Sequence, residues 1–119
     1  MPPLSEMRED AASIFEAGLK AVDPGEAVKR YVTRERGFLE VCGDRYPFSK
    51  FHHIYVVGAG KASGLMARMV KGILGDRIDA GRVIVKYGHG VSVPDIEIIE
   101  AGHPVPDKNG VEGTGDQPR

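Results

Sequence analysis

The stretch Ile54-Tyr-Val-Val-Gly-Ala-Gly-Lys-Ala-Ser-Gly-Leu65 decides how the rest of the chain is read. Ile54 to Val57 form a short, unbroken apolar run, the pattern of a strand covered on both faces. The glycines after it suit a tight turn, and Leu65, Met66, Met69, Val70, Ile73 and Leu74 then recur at helical spacing. That periodicity predicts a helix over 61–74, ended by Gly75, with the methionines filling core space. Asp79-Ala-Gly81 turns the chain into a second apolar strand, Val83-Ile-Val-Lys86. Strand, helix and strand in such close succession make a βαβ unit, whose two strands are expected to run parallel.

Beyond it, Tyr87 to Pro94 is a glycine-bearing loop and Asp95 to Ala101 reads as a third strand. The link is shorter than a helical crossover needs, which leaves the third strand's place in the sheet open. Gly102-His-Pro-Val-Pro-Asp107 is a further loop. Asp107 stands at a cap position for another helix, whereas Gly110, Gly113, Gly115 and Pro118 suit a helix interior poorly.

Before the central unit, Ser5 is placed to cap a helix over 6–22 whose apolar face is Met7, Ala11, Ile14, Phe15, Gly18, Leu19 and Val22. Asp23, Pro24 and Glu26 supply cap, first-turn proline and capping-box positions for a second helix. Gly37 is expected to stop it, with Ala27, Val28, Tyr31 and Val32 inward and Lys29, Arg30, Arg34 and Arg36 outward. Phe38 to Cys42 and Arg45 to Ser49 flank Gly43-Asp44 as a hairpin, confined to an edge by Pro47. His52 and His53 are adjacent, so in a strand they point to opposite faces and cannot chelate one ion together.

The 119 residues carry a formal net charge of −1 with the two signs well mixed, which excludes the basic excess of nucleic-acid binders. One cysteine, Cys42, excludes an intrachain disulfide framework and suits a reducing compartment. No apolar run is long enough to span a membrane, and no basic-then-apolar leader opens the chain. A soluble, cytoplasmic α/β domain is the expected class, with no membrane or nucleic-acid partner.

Three kinds of chemistry compete for Gly58-Ala-Gly-Lys-Ala-Ser-Gly64. As a dinucleotide fingerprint the third glycine position holds Ser63, and the second strand ends at Lys86 instead of an acidic residue. A Walker A loop fails because its first glycine is missing and Ala62 replaces the magnesium-binding hydroxyl. An anion site fits better. A helix N-terminus presents unpaired N–H groups and partial positive charge, and Lys61 adds a full charge there, unfavourable by roughly 0.3–1 kcal/mol until an anion offsets it. A solvated Lys61 above a merely tight turn is the alternative. If the strands are parallel, Lys61, Lys86, His89 and His103 share one edge, a cationic, proton-trading rim suited to an acidic metabolite. No cluster has metal-ligand spacing.

Tyr55-Val-Val-Gly-Ala-Gly-Lys-Ala62, Val85-Lys-Tyr-Gly-His-Gly90 and Glu100-Ala-Gly-His-Pro-Val-Pro-Asp107, in this order, resemble the N-terminal region of the glycerate 2-kinases, a two-domain family also labelled hydroxypyruvate reductase. The lead-in from Met7 to Leu19 is similar to the family's opening helix, and the resemblance runs over about residues 7 to 113. It implies a Rossmann-like, three-layer α/β domain with a mainly parallel sheet, and transfer of the ATP γ-phosphoryl group to D-glycerate, with Mg2+, giving 2-phosphoglycerate. Lys61 matches the lysine regarded as catalytic. Gly58, Ala59 and Gly60 belong to the same turn, while Lys86, His89, Gly90 and His103 match motif positions in the other loops and are assigned here to substrate or phosphate binding. The family continues where this sequence turns into Gly113-Thr-Gly-Asp-Gln-Pro-Arg119. Residues 1–113 are therefore expected to form part of a first domain and 114–119 an irregular tail. The remainder of that domain and the second domain are absent, so the chain reads as truncated and inactive alone, assembling as a homo-oligomer or with a complementing C-terminal fragment. An NADP-linked reductase and a non-catalytic anion-binding module are the competing readings.

Overall fold

The computed structural model describes residues 1–115. In chain order these form α1 (Leu4–Ala21), α2 (Pro24–Tyr31), β1 (Val32–Arg34), β2 (Phe38–Val41), β3 (Asp44–Pro47), β4 (Tyr55–Ala59), α3 (Ser63–Leu74), β5 (Ala80–Lys86), β6 (Ile96–Ala101) and α4 (Lys108–Thr114). Two separate three-stranded sheets result, an antiparallel β1-β2-β3 and a parallel β4-β5-β6. The chain is thus an α/β protein built on the expected βαβ unit, with the third strand parallel beside β5, reached without a helix.

Alternation along β5 sorts the layers. Val83 and Val85, each 1 % exposed, face α3 and share a core with Ala67, Leu74, Val93 and Ile96. Burying each such valine is worth roughly 1.5–3 kcal/mol. Ile84, on the other face, meets α4, where a Cβ added at Gly113 would lie 3.1 Å from its Cδ1 and 3.2 Å from Ile99 Cγ2. That close approach explains why Gly113 sits in a helix that its propensity disfavours. Arg82, on the same face, pairs with Glu97 at 2.8 Å and donates to the Gly113 and Gly115 carbonyls, which anchors the end of α4. Of the tail expected at 114–119, Thr114 closes α4, and residues 116–119 lie outside the described residues.

Several boundaries differ from the sequence expectations. Pro3, not Ser5, is the N-cap of α1, its φ of −63° and extended ψ leading into the helix at Leu4. Asp23 caps α2 as expected, accepting from the Glu26 N–H at 2.9 Å. This helix ends at Tyr31 and not at Gly37, because β-branched Val32 and Thr33 leave it to pair with β2. Its buried residues are Gly25 and Val28, while Tyr31 is exposed. Arg34 does not point freely into solvent. It donates to the Leu74 carbonyl at 2.7 Å, at the C-terminus of α3, and its guanidinium lies 5.9 Å from the Phe48 ring centre.

The hairpin turns on Cys42-Gly43, both at positive φ (50° and 90°), one residue earlier than expected, and Asp44 already pairs with Val41. His53 approaches Asp79 at 3.3 Å and stacks on Tyr55. The largest departure is β4. It is an edge strand, and only one of its faces is covered: Tyr55 and Val57 are 63 % and 83 % exposed on the side away from α3.

Candidate functional site

Because β4, β5 and β6 run parallel, the turns that follow them all open on one edge of the sheet. The first is Gly60-Lys61-Ala62. Gly60 has φ +119°, a conformation that side chains resist, and its N–H donates to the Ile84 carbonyl at 2.9 Å, tying the turn to β5. Its own carbonyl accepts from the Ser63 N–H at 3.1 Å. Gly58 is under less constraint, since a Cβ there would stand in ordinary contact, 3.6 Å from Ser63 and Val83. The helix α3 begins at Ser63, two residues later than periodicity suggested, and no side chain caps it. Lys61 therefore stands just outside an uncapped helix N-terminus. It is exposed, and among the described residues nothing pairs with it.

The second loop packs onto that helix start. A Cβ on Gly64 would lie 2.9 Å from Val91 Cγ2 and 3.5 Å from the His89 carbonyl. Glycine at this position is what lets the His89 loop close against α3. Glu100 organises the loop from the other side, its Oε1 accepting from the Gly88 and Gly90 N–H groups at 2.7 and 3.3 Å. A carboxylate from β6 thus fills the backbone donors that a glycine loop could have offered to an external anion. Sequence reasoning missed Glu100. Its position at the end of a strand beside two loop glycines was the available signal.

The third loop is held through Asp107. Its Oδ1 accepts from the Gly110 N–H at 3.3 Å, capping α4, and its Oδ2 accepts from the Tyr87 hydroxyl at 2.6 Å. Asn109 donates to the same hydroxyl at 2.8 Å. The Tyr87 bond, joined by backbone donors, holds the Asp107 carboxyl below its ordinary value, and that carboxylate in turn pushes the Tyr87 phenol up. A side chain at Gly102 is excluded, because its Cβ would meet the Val105 carbonyl at 2.5 Å. Tyr87, unremarked in the sequence, is thus the tie between the second and third loops.

Lys61, Lys86, His89 and His103 consequently occupy one edge, on turns braced against one another. Lys61, His89 and His103 are exposed and Lys86 is half-buried. No hydrogen bond or ion pair links these four side chains among the described residues, so they form an open rim and not a closed cluster. Among the described residues no group of three or more His, Cys, Asp or Glu side chains could hold a metal ion, and no helix is long and apolar enough to cross a membrane.

A parallel sheet whose strand-end turns bring Lys61, Lys86, His89 and His103 to one edge defines an α/β domain with its candidate site on that edge. Residues 10–117 match the family model described as "Domain of unknown function (DUF4147)", and the chain belongs to that family. It is 33 % identical over 108 residues to a protein of Pyrococcus horikoshii named glycerate 2-kinase, and 34 % identical over 109 residues to one of Thermotoga maritima named D-glycerate 2-kinase. These alignments cover 91 % of this chain but 24 % and 23 % of the relatives, so the chain spans about a quarter of the length of the curated relatives it matches. An Agrobacterium vitis protein that carries a hydroxypyruvate reductase name is 37 % identical over 106 residues, 88 % of this chain and 21 % of its own length. Among solved structures, a P. horikoshii protein superposes with a TM-score of 0.74 at 34 % identity, over 90 % of this chain and 24 % of its own. The T. maritima glycerate kinase superposes with 0.63 at 33 % identity, over 91 % and 23 %.

Proposed function

We propose that this chain carries the anion-binding part of a glycerate 2-kinase site, residues 1–113 being the opening portion of a Rossmann-like first domain in a cytoplasmic enzyme. The full activity in this reading is transfer of the γ-phosphoryl group of ATP to D-glycerate, giving 2-phosphoglycerate. The observation that carries it is Lys61, unpaired and exposed beside the uncapped start of α3. Phosphoryl transfer depends mainly on positioning and charge stabilisation, and a lysine held at a helix N-terminus serves both.

The residues present fit a bound phosphate: Gly60 leaves the turn without a side chain, no side chain caps the start of α3, and Lys61 supplies the charge. Lys86, His89 and His103 extend the rim toward the acid substrate, and Gly58, Ala59 and Gly90 shape the backbone beneath it. ATP bound there would supply the transferable phosphoryl group. Mg2+ would be held chiefly by phosphate oxygens, since the described residues offer it no carboxylate cluster.

The chain alone, supplied with ATP, Mg2+ and D-glycerate, is expected to make no 2-phosphoglycerate. It is expected to bind ATP weakly, with amide shifts in a two-dimensional NMR titration centred on Gly58 to Gly64 and abolished by Lys61→Ala. Shifts that spare this turn, or that survive Lys61→Ala unchanged, would overturn the assignment. NADP is the control ligand: a tighter NADP site at the same turn would favour the reductase reading, against which the Ser63 and Lys86 positions speak.

A further inference from the structure

We propose that the Glu100 carboxylate is the resident anion of the His89 loop: it occupies an oxyanion cradle made by the Gly88 and Gly90 amides, and so confines external oxyanions on this edge to the Lys61 turn. The occupancy stands on geometry alone. Only its consequence for ATP rests on the reading of Lys61 given above.

The first observation is convergence. The amides of Gly88, His89 and Gly90 divide their work. The His89 N–H closes the turn by donating to the Lys86 carbonyl at 2.9 Å. Those on either side, of Gly88 and Gly90, both aim at one oxygen of Glu100, at 2.7 and 3.3 Å. Gly88 reaches this arrangement with φ +79°, in the region that side chains resist. Backbone N–H groups gathered in a turn form a concavity that binds anions, and their bonds to a carboxylate are stronger than bonds to a neutral acceptor.

The second is fit. A Cβ on Gly90 would stand 3.2 Å from the Glu100 carboxyl carbon and 3.2 Å from the same Oε1. The missing side chain at Gly90 thus makes room for a carboxylate of this chain. The space that a phosphate could have taken is filled from β6.

The third is charge. Glu100 is exposed, and among the described residues no Lys, Arg or His side chain pairs with it. Its negative charge is met by backbone dipoles, as that of a bound oxyanion is. A carboxylate that belongs to the chain stays beside these amides at a high effective concentration, and a second anion brought there meets its charge. The Lys61 turn is the opposite case, with no side chain capping α3 and a free cation beside it. The phosphates of ATP therefore lie against the first turn, and the His89 loop contributes side chains instead of amides.

Two-dimensional NMR of the full chain, with inorganic phosphate as the probe, tests this. In the parent, phosphate is expected to leave the Gly88 and Gly90 amides unmoved up to about 10 mM. Glu100→Ala empties the cradle, and saturable shifts at both glycines are expected near about 1 mM phosphate, a gain of about tenfold or more. Adding Lys61→Ala should leave those shifts in place, which separates this site from the first turn. Glu100→Gln keeps an oxygen in the cradle without the charge and is expected to stay closed like the parent. Unchanged Val83 and Val85 amides verify the fold of each variant.

A second measurement needs no change at Glu100. The Gly88 amide proton should resonate downfield of the other glycines, as a short bond to a carboxylate requires. Gly90→Ala, which moves the carboxylate by a few tenths of an ångström, should shift it upfield. Phosphate shifts at Gly88 and Gly90 in the parent, or none in a folded Glu100→Ala, would overturn the proposal. So would their loss with Lys61→Ala, a Glu100→Gln that opens as Glu100→Ala does, or a Gly88 proton indifferent to Gly90→Ala. ATP shifts that spare Gly58 to Gly64 would overturn the Lys61 assignment and leave the occupied cradle standing.

Discussion

Asp107 illustrates how one side chain can organise a site edge without belonging to the rim itself. It caps α4 and receives the Tyr87 hydroxyl, so the loop bearing His89 and the loop bearing His103 are held in register. Its carboxyl is held down in the folded state, so its stabilising contribution is present above the ordinary value of 3.8 and is lost as pH falls through the lowered folded value. Tyr87 works in the opposite sense: its phenol is pushed up, so its contribution is present below 10.0 and is lost as pH rises through the raised folded value. Tyr87→Phe is therefore expected to lower the thermal midpoint most between those limits, with the gap to the parent closing at both acid and alkaline ends. Asp79, held down by the Ile54 N–H and His53, contributes an acid limb common to both proteins. Midpoints recorded across pH check this, and a gap that does not vary with pH would sink the Tyr87–Asp107 account.

At the scale of elements, α3 shows why some features were legible in the sequence and others were not. Its apolar spacing, the glycine turn before it and Gly75 at its end are local signals, and the βαβ unit follows from them. The Asp23 cap and the hairpin were equally local. What the pattern could not reveal was which faces would find a neighbour. Ile54 to Val57 read as doubly covered because an unbroken apolar run records the coverage a strand is suited to, not the coverage it receives. The end of α2 was misplaced for a related reason: pairing of Val32 and Thr33 with β2 outweighs the helix-stop signal at Gly37. Within the site, the shared edge was legible from parallel topology, whereas Glu100 and Tyr87 act through long-range hydrogen bonds that have no sequence periodicity. Two glycines in α3 separate the local from the tertiary effect. Gly72 has nothing within 4 Å of an added Cβ, so Gly72→Ala should stabilise by about 0.5–1 kcal/mol through helix propensity. Gly64→Ala meets a stiff, β-branched Val91 at 2.9 Å and should instead destabilise by about 1 kcal/mol or more, displacing the His89 loop. Urea denaturation of both variants measures the two signs, and equal effects would mean that Gly64 does not pin the loop.

On the scale of the whole molecule, stability is unevenly distributed, and the unevenness has a direction. β5 is paired on both sides and holds Val83 and Val85, the two least exposed apolar side chains among the described residues. Its amides should open only with global unfolding. α1 lies at the other extreme, with no buried residue and an apolar face turned to solvent. In dilute solution its backbone is expected to exchange hydrogen close to the rate of an unstructured peptide, since an isolated helix of this length is marginal. β4 should fall between, protected where it pairs with β5 and open along its free edge. Exchange should therefore be slowest in β5, intermediate in β4 and fastest in α1. Hydrogen–deuterium exchange read by mass spectrometry on the dilute chain checks that order. Protection of α1 equal to that of β5 would overturn it, and would mean that the helix folds back onto its own body.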